Sequence, residues 1–563
     1  MTVKIIQVII ISTMLCSTLV GIDNVERDID NVGPVTESID KDRFSIIYYI
    51  SESNGSDMYG EGSKHKPWAT IQFALENVGD VSENKVAGVF VSSGRYTGHT
   101  LEMKPYVELY GGFNSESWER DIYQYSTYLD GENKRRVIIG SNNSRIDGFI
   151  ITNGRVRSHG GGILCDDTSP IISNCFILNN FVLEPEQFNH NRIHQYGNDG
   201  GAIAVLHNAT PIIRNNVFYG NKTSIGHGGA IALKGWLRMA DVPKSRIEDN
   251  VLVGGIQPVI RNNVFIENIS GVNDVHNTRS SNGGAISITY EQRPIIENNL
   301  IAHNHAKGNS DGGGIYNEYY SYPIINSNWI IGNIADDDAG GIYTMRLGHP
   351  IITNNIIAGN KTVNEGNYGG IRISKEGRAR ILNNVIVRNQ TGGGVQCIDS
   401  YMELKDNVIM HNRGTSGIHY RNAFTYFKPS VIEENIIQQN EGLELNIEND
   451  SSELVNVKNN SIHSLYEVGA TDNRIVQFEN DSILGKISNI KYDALTYQTI
   501  ISVTEQMDNK MIKGRVIKIG DFWGIIKEGR ENKIFVWGNV GSTTTQTSNY
   551  EIISSYKSVV RRR

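Results

Sequence analysis

The sequence predicts an all-β solenoid built as a parallel β-helix, covered at its start by a short helix and followed by a small β-rich domain. Three observations predict it. Glycine pairs recur at Gly161-Gly162, Gly200-Gly201, Gly228-Gly229, Gly283-Gly284, Gly312-Gly313, Gly340-Gly341, Gly369-Gly370 and Gly392-Gly393, each opening a short alternating strand. A second strand follows, beginning at Pro170, Pro211, Pro258, Pro294, Pro323 and Pro350. Paired asparagines and a third apolar strand close the unit, as in Asn215-Asn216-Val217-Phe218-Tyr219. A unit of this size cannot bury its apolar side alone and must stack on its copies. Solenoids grow in one dimension, so 563 residues need not divide into several globular domains.

Taken in order, the chain opens on Lys4 and an apolar run from Ile5 to Leu15, with small residues up to Gly21. Residues 1–21 read as a secretory signal, too short for a comfortable membrane span. Cleavage leaves no stable span and places the protein outside the cell or on its surface. Cys16 invites a lipid anchor, but Leu15 stands where a small residue is needed. Residues 22–45, with Asp23, Glu26, Asp28, Asp30, Glu37 and Asp40, read as a flexible acidic linker. Cys165, Cys175 and Cys397 are too few and too odd for a disulfide framework. Cys165 and Cys397 share the parity of inward isoleucines and read as buried apolar side chains. A formal charge of −8 argues against a nucleic-acid partner.

The solenoid is expected over residues 46–470. Ile46–Ser51 is strand-like, and Ile71, Leu75 and Val78 share one helical face that suits a solenoid's end cap. The segments Tyr48-Tyr49-Ile50-Ser51, Gly55-Ser56-Asp57, Lys66-Pro67-Trp68-Ala69-Thr70-Ile71-Gln72 and Tyr110-Gly111-Gly112-Phe113, with the repeats, resemble secreted bacterial right-handed parallel β-helix proteins of the pectin lyase-like superfamily. The resemblance covers roughly residues 46–460 and implies the fold. It leaves the activity open, because that superfamily holds lyases, hydrolases, epimerases and adhesins.

Each coil is expected to carry three short strands, rising about 4.8 Å per coil. Ile203 and Val205 should face the core, and Ala204 and Leu206 the outside. Stacked asparagines should bond to one another along the axis. Residues 181–199, 236–257 and 270–282 exceed the short period and should leave as loops, with Ser245–Val253 a candidate further coil.

The outward positions change along the axis. Tyr290, Tyr316, Tyr319, Arg346 and Arg421 make a strip suited to an acidic polysaccharide, rings stacking on sugars and guanidinium groups pairing with carboxylates. A β-eliminating lyase needs a base and a group that neutralises the substrate carboxylate. Arg372, Lys375, His419 and Tyr343 are the candidates for that chemistry. Glu318, or the turn Asp336-Asp337-Asp338, offers the oxygen ligands that calcium takes. Two sharper motifs fail: Gly226-His227-Gly228 is similar to a polygalacturonase element but lacks clustered aspartates, and the Asp-Pro-His-Asp pattern of alginate epimerases is absent. Asp166-Asp167 reads as turn chemistry, and His159, His303 and His305 as surface residues.

Residues 471–563 change style into short alternating strands and predict a small β-domain, with Trp523 and Trp537 in its core and Arg561-Arg562-Arg563 as a tail. The functional expectation is a secreted protein that interacts with an extracellular acidic polysaccharide or cell-surface glycan, in its sharper form a polysaccharide lyase. The alternative is a non-enzymatic surface adhesin or structural protein.

Overall fold

The computed structural model describes residues 32–186, 198–235, 257–273, 281–364, 367–423, 429–448, 454–462, 474–493, 498–507, 516–519, 522–537 and 549–562. The signal segment, the first part of the acidic linker, Ser245–Val253 and the side chains of Trp523 and Trp537 lie outside what is described. Among the described residues no helix is long and apolar enough to cross a membrane.

Short parallel strands stack into four long sheets of 14, 12, 13 and 7 strands. A mid-solenoid coil contributes Ile203–Leu206 after the glycine pair, Ile212–Arg214 after the proline, Val217–Tyr219 after the asparagines, and Lys222–Thr223. The last of these is a fourth strand where three were expected. Its sheet runs from Arg155–Val156 to Lys361–Thr362. The cause is a second bend one strand beyond the first. Each bend carries its own asparagine ladder. At the first, Asn216 donates its side-chain amide to Asn263 Oδ1 (3.0 Å) and to the Ile172 carbonyl (3.0 Å). The same Oδ1 accepts the Asn216 backbone N–H at 2.9 Å. The pattern continues coil by coil to Asn460. At the second bend Asn221 bonds Asn268 in the same way, and that ladder runs on to Asn440. The residue before each first-ladder asparagine takes a left-handed turn, with φ of 56° at Asn215 and 52° at Asn298. Asparagine tolerates that conformation at low cost.

The interior is a continuous apolar column. Ile203, Val205, Ile213 and Phe218 are fully buried, and Phe218 stacks on Phe265 at 4.6 Å. Cys165, Cys175 and Cys397 sit in it, and burial pushes the thiols of Cys165 and Cys175 up to about 12. The cap helix spans Ile71–Asn77, with Thr70 accepting the Phe73 N–H at its start and Ile71, Ala74 and Leu75 buried.

One expectation changes. Residues 32–43 are not a free linker but lie along the solenoid. Gly33 donates to the Asn262 carbonyl (2.9 Å), and Glu37 takes both arms of Arg214 (2.6 and 2.9 Å). Of the acidic side chains that suggest a solvated segment, Glu37 instead finds a coil cation and Asp40 accepts the Asp42 N–H. On either side of the long insertion, Ile212–Arg214 pairs directly with Val259–Arg261, and Ile231–Lys234 with Ile286–Thr289. Beyond the last solenoid strand at Ser461–Ile462, strands from Arg474 to Arg562 close into a barrel.

Candidate functional site

The outer side of the glycine-pair strands is mostly buried. Ala204, Leu206, Lys234, Thr289, Glu318, Met345 and Ser374 are all covered. Tyr316 and Tyr343, each 1% exposed, are therefore not platforms for sugar rings. Alternation puts them outside the core, but neighbouring coils then fill the space around them. Tyr316 directs its hydroxyl to Met345 Sδ (3.1 Å), and the Tyr343 hydroxyl lies 2.6 Å from Ser374 Oγ.

Beside them runs a row that sequence reasoning missed, formed by the residue before the left-handed position that opens each strand (Gly160, Gly200, Gly228, Gly283, Gly312 and Ala339). His159 Nδ1 accepts the Asp199 N–H (3.0 Å), Asp199 the His227 N–H (2.9 Å), and His227 Nδ1 the Asn282 N–H (2.9 Å). Asn282 then accepts from Asp311 (2.9 Å), and Asp311 from Asp338 (3.1 Å). The row is a third ladder, with each side chain capping the next coil's amide. His159 is thus held in the structure rather than standing free at the surface. Burial lowers the pKa of both histidines, which suits neutral rings that accept at Nδ1.

Two charge clusters sit on this row. Burial works against the Asp199 charge, but the Lys234 ammonium at 2.6 Å outweighs it and holds the carboxyl down to about 2. Further along, Asp311, Asp337 and Asp338 bring carboxylate oxygens within 4.8 Å of one another. Of the calcium candidates, Asp337 and Asp338 converge, while Asp336 turns to His305 (2.6 Å) and Glu318 to Arg346 (3.2 Å). Asp311, one coil away, completes the group in their place. The donors already present suit hydrogen bonds better than a calcium shell. Arg372 lies 2.5 Å from Asp338, and the amides of Asn364 and Asn367 point at Asp337 Oδ1 (3.0 and 2.9 Å). Burial and the neighbouring acids raise Asp311 well above the usual carboxylate range, and burial raises Asp338 to about 6.

A pH effect follows. Folded-state values above the ordinary 3.8 mean that the fold retains protons the unfolded chain releases. This contribution is full below about pH 4 and is lost as pH rises through about 6. Asp311→Asn keeps the acceptor, as Asn282 does one coil earlier, and removes the repulsion. Its melting temperature is expected to rise by a few degrees at pH 8, about 1–3 kcal/mol, with no gain at pH 4. An equal shift at both pH values would contradict the assignment.

The four lyase candidates do not converge with free reactive groups. Arg372 is tied to Asp338 and to Asn367 Oδ1 (3.0 Å), and Tyr343 is buried. His419 uses both nitrogens, Nδ1 towards the Gln396 amide (3.0 Å) and Nε2 towards Glu448 (2.8 Å). Lys375 is exposed on the turn that follows the glycine-pair strand. That turn repeats in the left-handed conformation, with φ of 55° at Tyr290, 47° at Tyr319, 44° at Arg346 and 48° at Lys375. These side chains form a surface row: Tyr290 and Tyr319 stack at 4.9 Å, and the Arg346 guanidinium lies 5.3 Å from the Tyr319 ring. Arg421 is exposed further along, 4.0 Å from Glu448.

Parallel coils of this kind define a β-helix protein. The family described as "Right handed beta helix region" matches residues 238–403. The repeated coils are a right-handed parallel β-helix. No curated protein sequence matches it. Among solved structures, the periplasmic alginate epimerase AlgG is similar at 12% identity, covering 71% of this chain and 84% of that one, with a TM-score of 0.33. XylC, solved with xylose, is similar at 10% identity over 90% and 99% of the two chains, with a TM-score of 0.36. The GH136 lacto-N-biosidase from Eubacterium ramulus follows at 10% identity over 76% and 69%, with a TM-score of 0.31. Likenesses this distant carry neither substrate nor mechanism to this chain.

Proposed function

We propose that this protein is secreted and binds an extended acidic polysaccharide along its solenoid, holding it without turnover. The observation that carries this reading is the surface row of half-buried Tyr290 and Tyr319 and exposed Arg346 and Lys375. Successive coils set its members about 4.8 Å apart, a spacing on which a linear sugar chain can lie. Ring edges and faces meet the apolar side of a sugar, and the cations pair with its carboxylates or sulfates. Binding without chemistry is favoured because Arg372, Tyr343 and His419 are committed to protein partners. The apolar leader in the sequence supports secretion.

The test is retention on immobilised uronic-acid and sulfated polysaccharides, with ultraviolet absorbance followed for an unsaturated product. Tyr319→Asn and Lys375→Asn keep a residue that accepts the left-handed turn. The pair is expected to weaken retention at least about tenfold, since a half-buried ring and an exposed cation each contribute of the order of 1 kcal/mol. Unchanged retention would remove this row as the binding surface, and an absorbance signal would replace binding with a lyase activity.

A further inference from the structure

A different corner of the coil carries a groove of about 1200 Å³. It lies at the second asparagine bend, one strand beyond the first. The residue before each ladder asparagine there is left-handed: His303 (φ 56°), Gly332 (61°), Gly359 (62°), Arg388 (53°) and His411 (55°). Two consecutive coils therefore present no side chain at this position. The His303 ring leans over Gly332, 2.8 Å from where a Cβ there would stand, and the hollow lies between that ring and Arg388. On the far side of the ladder the next residues include Lys361 and Arg413.

Lys361, Arg388 and Arg413 come from three successive coils and all are exposed. The coil rise spaces them over roughly 10 Å along the axis. Ile331 and Ile334 contribute apolar surface, and ladder asparagines sit at the base. The acid among the lining residues, Glu441, lies at one end and accepts the Gly414 N–H at 3.2 Å. A concave site flanked by three cations, on a chain of net charge −8, concentrates positive potential locally.

We infer that this groove is a second binding site, for a short run of a carboxylated or sulfated glycan. The pattern suits such a ligand. Negative groups repeating along a chain can meet cations repeating along the coils, guanidinium forks match carboxylate and sulfate oxygens, and the isoleucines can take the sugar's C–H face. The inference does not depend on the Tyr290–Lys375 row, and either site can fail alone.

The experiment titrates the full-length protein with oligogalacturonate and with a sulfated hexasaccharide, by calorimetry at low and moderate salt. Wild type is expected to bind at least one of them, more weakly as salt rises. Added to Tyr319→Asn with Lys375→Asn, which removes the other row, the triple change Lys361→Gln, Arg388→Asn, Arg413→Gln is expected to lose at least tenfold in affinity. Tyr319→Asn with Lys375→Asn is expected to leave this binding in place, which separates the two sites. Gly359→Asn is the second probe: it fills the hollow without changing charge, and Asn179 already occupies that position in an earlier coil with φ 54°. It is expected to weaken binding while leaving the melting temperature within a few degrees of wild type. No binding of either oligosaccharide, or wild-type affinity in both groove variants, overturns the inference. Equal affinity for polyphosphate or single-stranded DNA also overturns it, since the site would then be a general polyanion surface.

Discussion

Asn328→Ala is expected to destabilise the solenoid by about 3–5 kcal/mol, because one side chain satisfies several buried groups and each orphan costs roughly 1–3 kcal/mol. Asn328 is fully buried. Its Oδ1 accepts the Asn299 N–H (3.0 Å) and the Asn299 side-chain amide (2.9 Å). Its own amide donates to Asn355 Oδ1 (3.0 Å) and to the Ile296 carbonyl (2.8 Å). Alanine leaves these groups in a space with little water. The comparison is Asn383→Ala, an exposed left-handed residue whose amide reaches Asn354 Oδ1 at 2.6 Å. Its cost is set by the backbone conformation, about 1–2 kcal/mol. Thermal melts of the two variants read the difference, and hydrogen exchange places the loss at coils 299, 328 and 355. Equal losses for both would mean that the ladder contributes no more than turn conformation does.

The fold was legible because its cause is local and repeated. Glycine before a strand and asparagine at a bend each solve a backbone problem that recurs in every coil, so the answer is written many times. The candidate site was less legible because it depends on what lies one coil away. Parity correctly put Tyr316 and Tyr343 outside the core, but outside does not mean exposed when Met345 and Ser374 of later coils close over them. Asp311 is far from Asp337 and Asp338 in sequence and adjacent to them in space. The row from His159 to Asp338 had a readable signal, a polar residue one place before the left-handed residue that opens each strand, but glycine at that left-handed place merges with the pair and blurs the register. The groove had a weaker one. Gly332 and Gly359 belong to the same Gly-Asn bend as other coils, and only their succession between two large residues makes a hollow.

Gly229→Ala should cost about 3 kcal/mol or more, the upper range for forcing atoms into a filled space. The reason differs from the usual one for glycine, since its φ is not in the left-handed region. A Cβ at Gly229 would lie 2.2 Å from the Gly284 carbonyl oxygen and 2.7 Å from the backbone of Ile269. Those atoms cannot rotate away, so the coils must part. At Gly220 the outcome should be mild: the residue is left-handed with φ 64°, which asparagine accepts, and the nearest atom to a new Cβ is the movable end of Asn179 (2.7 Å). Gly220→Asn is thus expected to melt within a few degrees of wild type. Parting the coils at Gly229 also lengthens the rungs that hold Asn221 to Asn268 (3.0 Å) and Asn216 to Asn263 (3.0 Å). The glycine column and the asparagine ladders therefore depend on one coil spacing. Solenoid coils contact only their neighbours, so lost hydrogen-exchange protection should centre on coils 201, 229 and 284 and spare Ile436–Gln438. Protection lost evenly along the whole chain would instead make the solenoid a single cooperative unit, in which no one coil's spacing could be tuned separately.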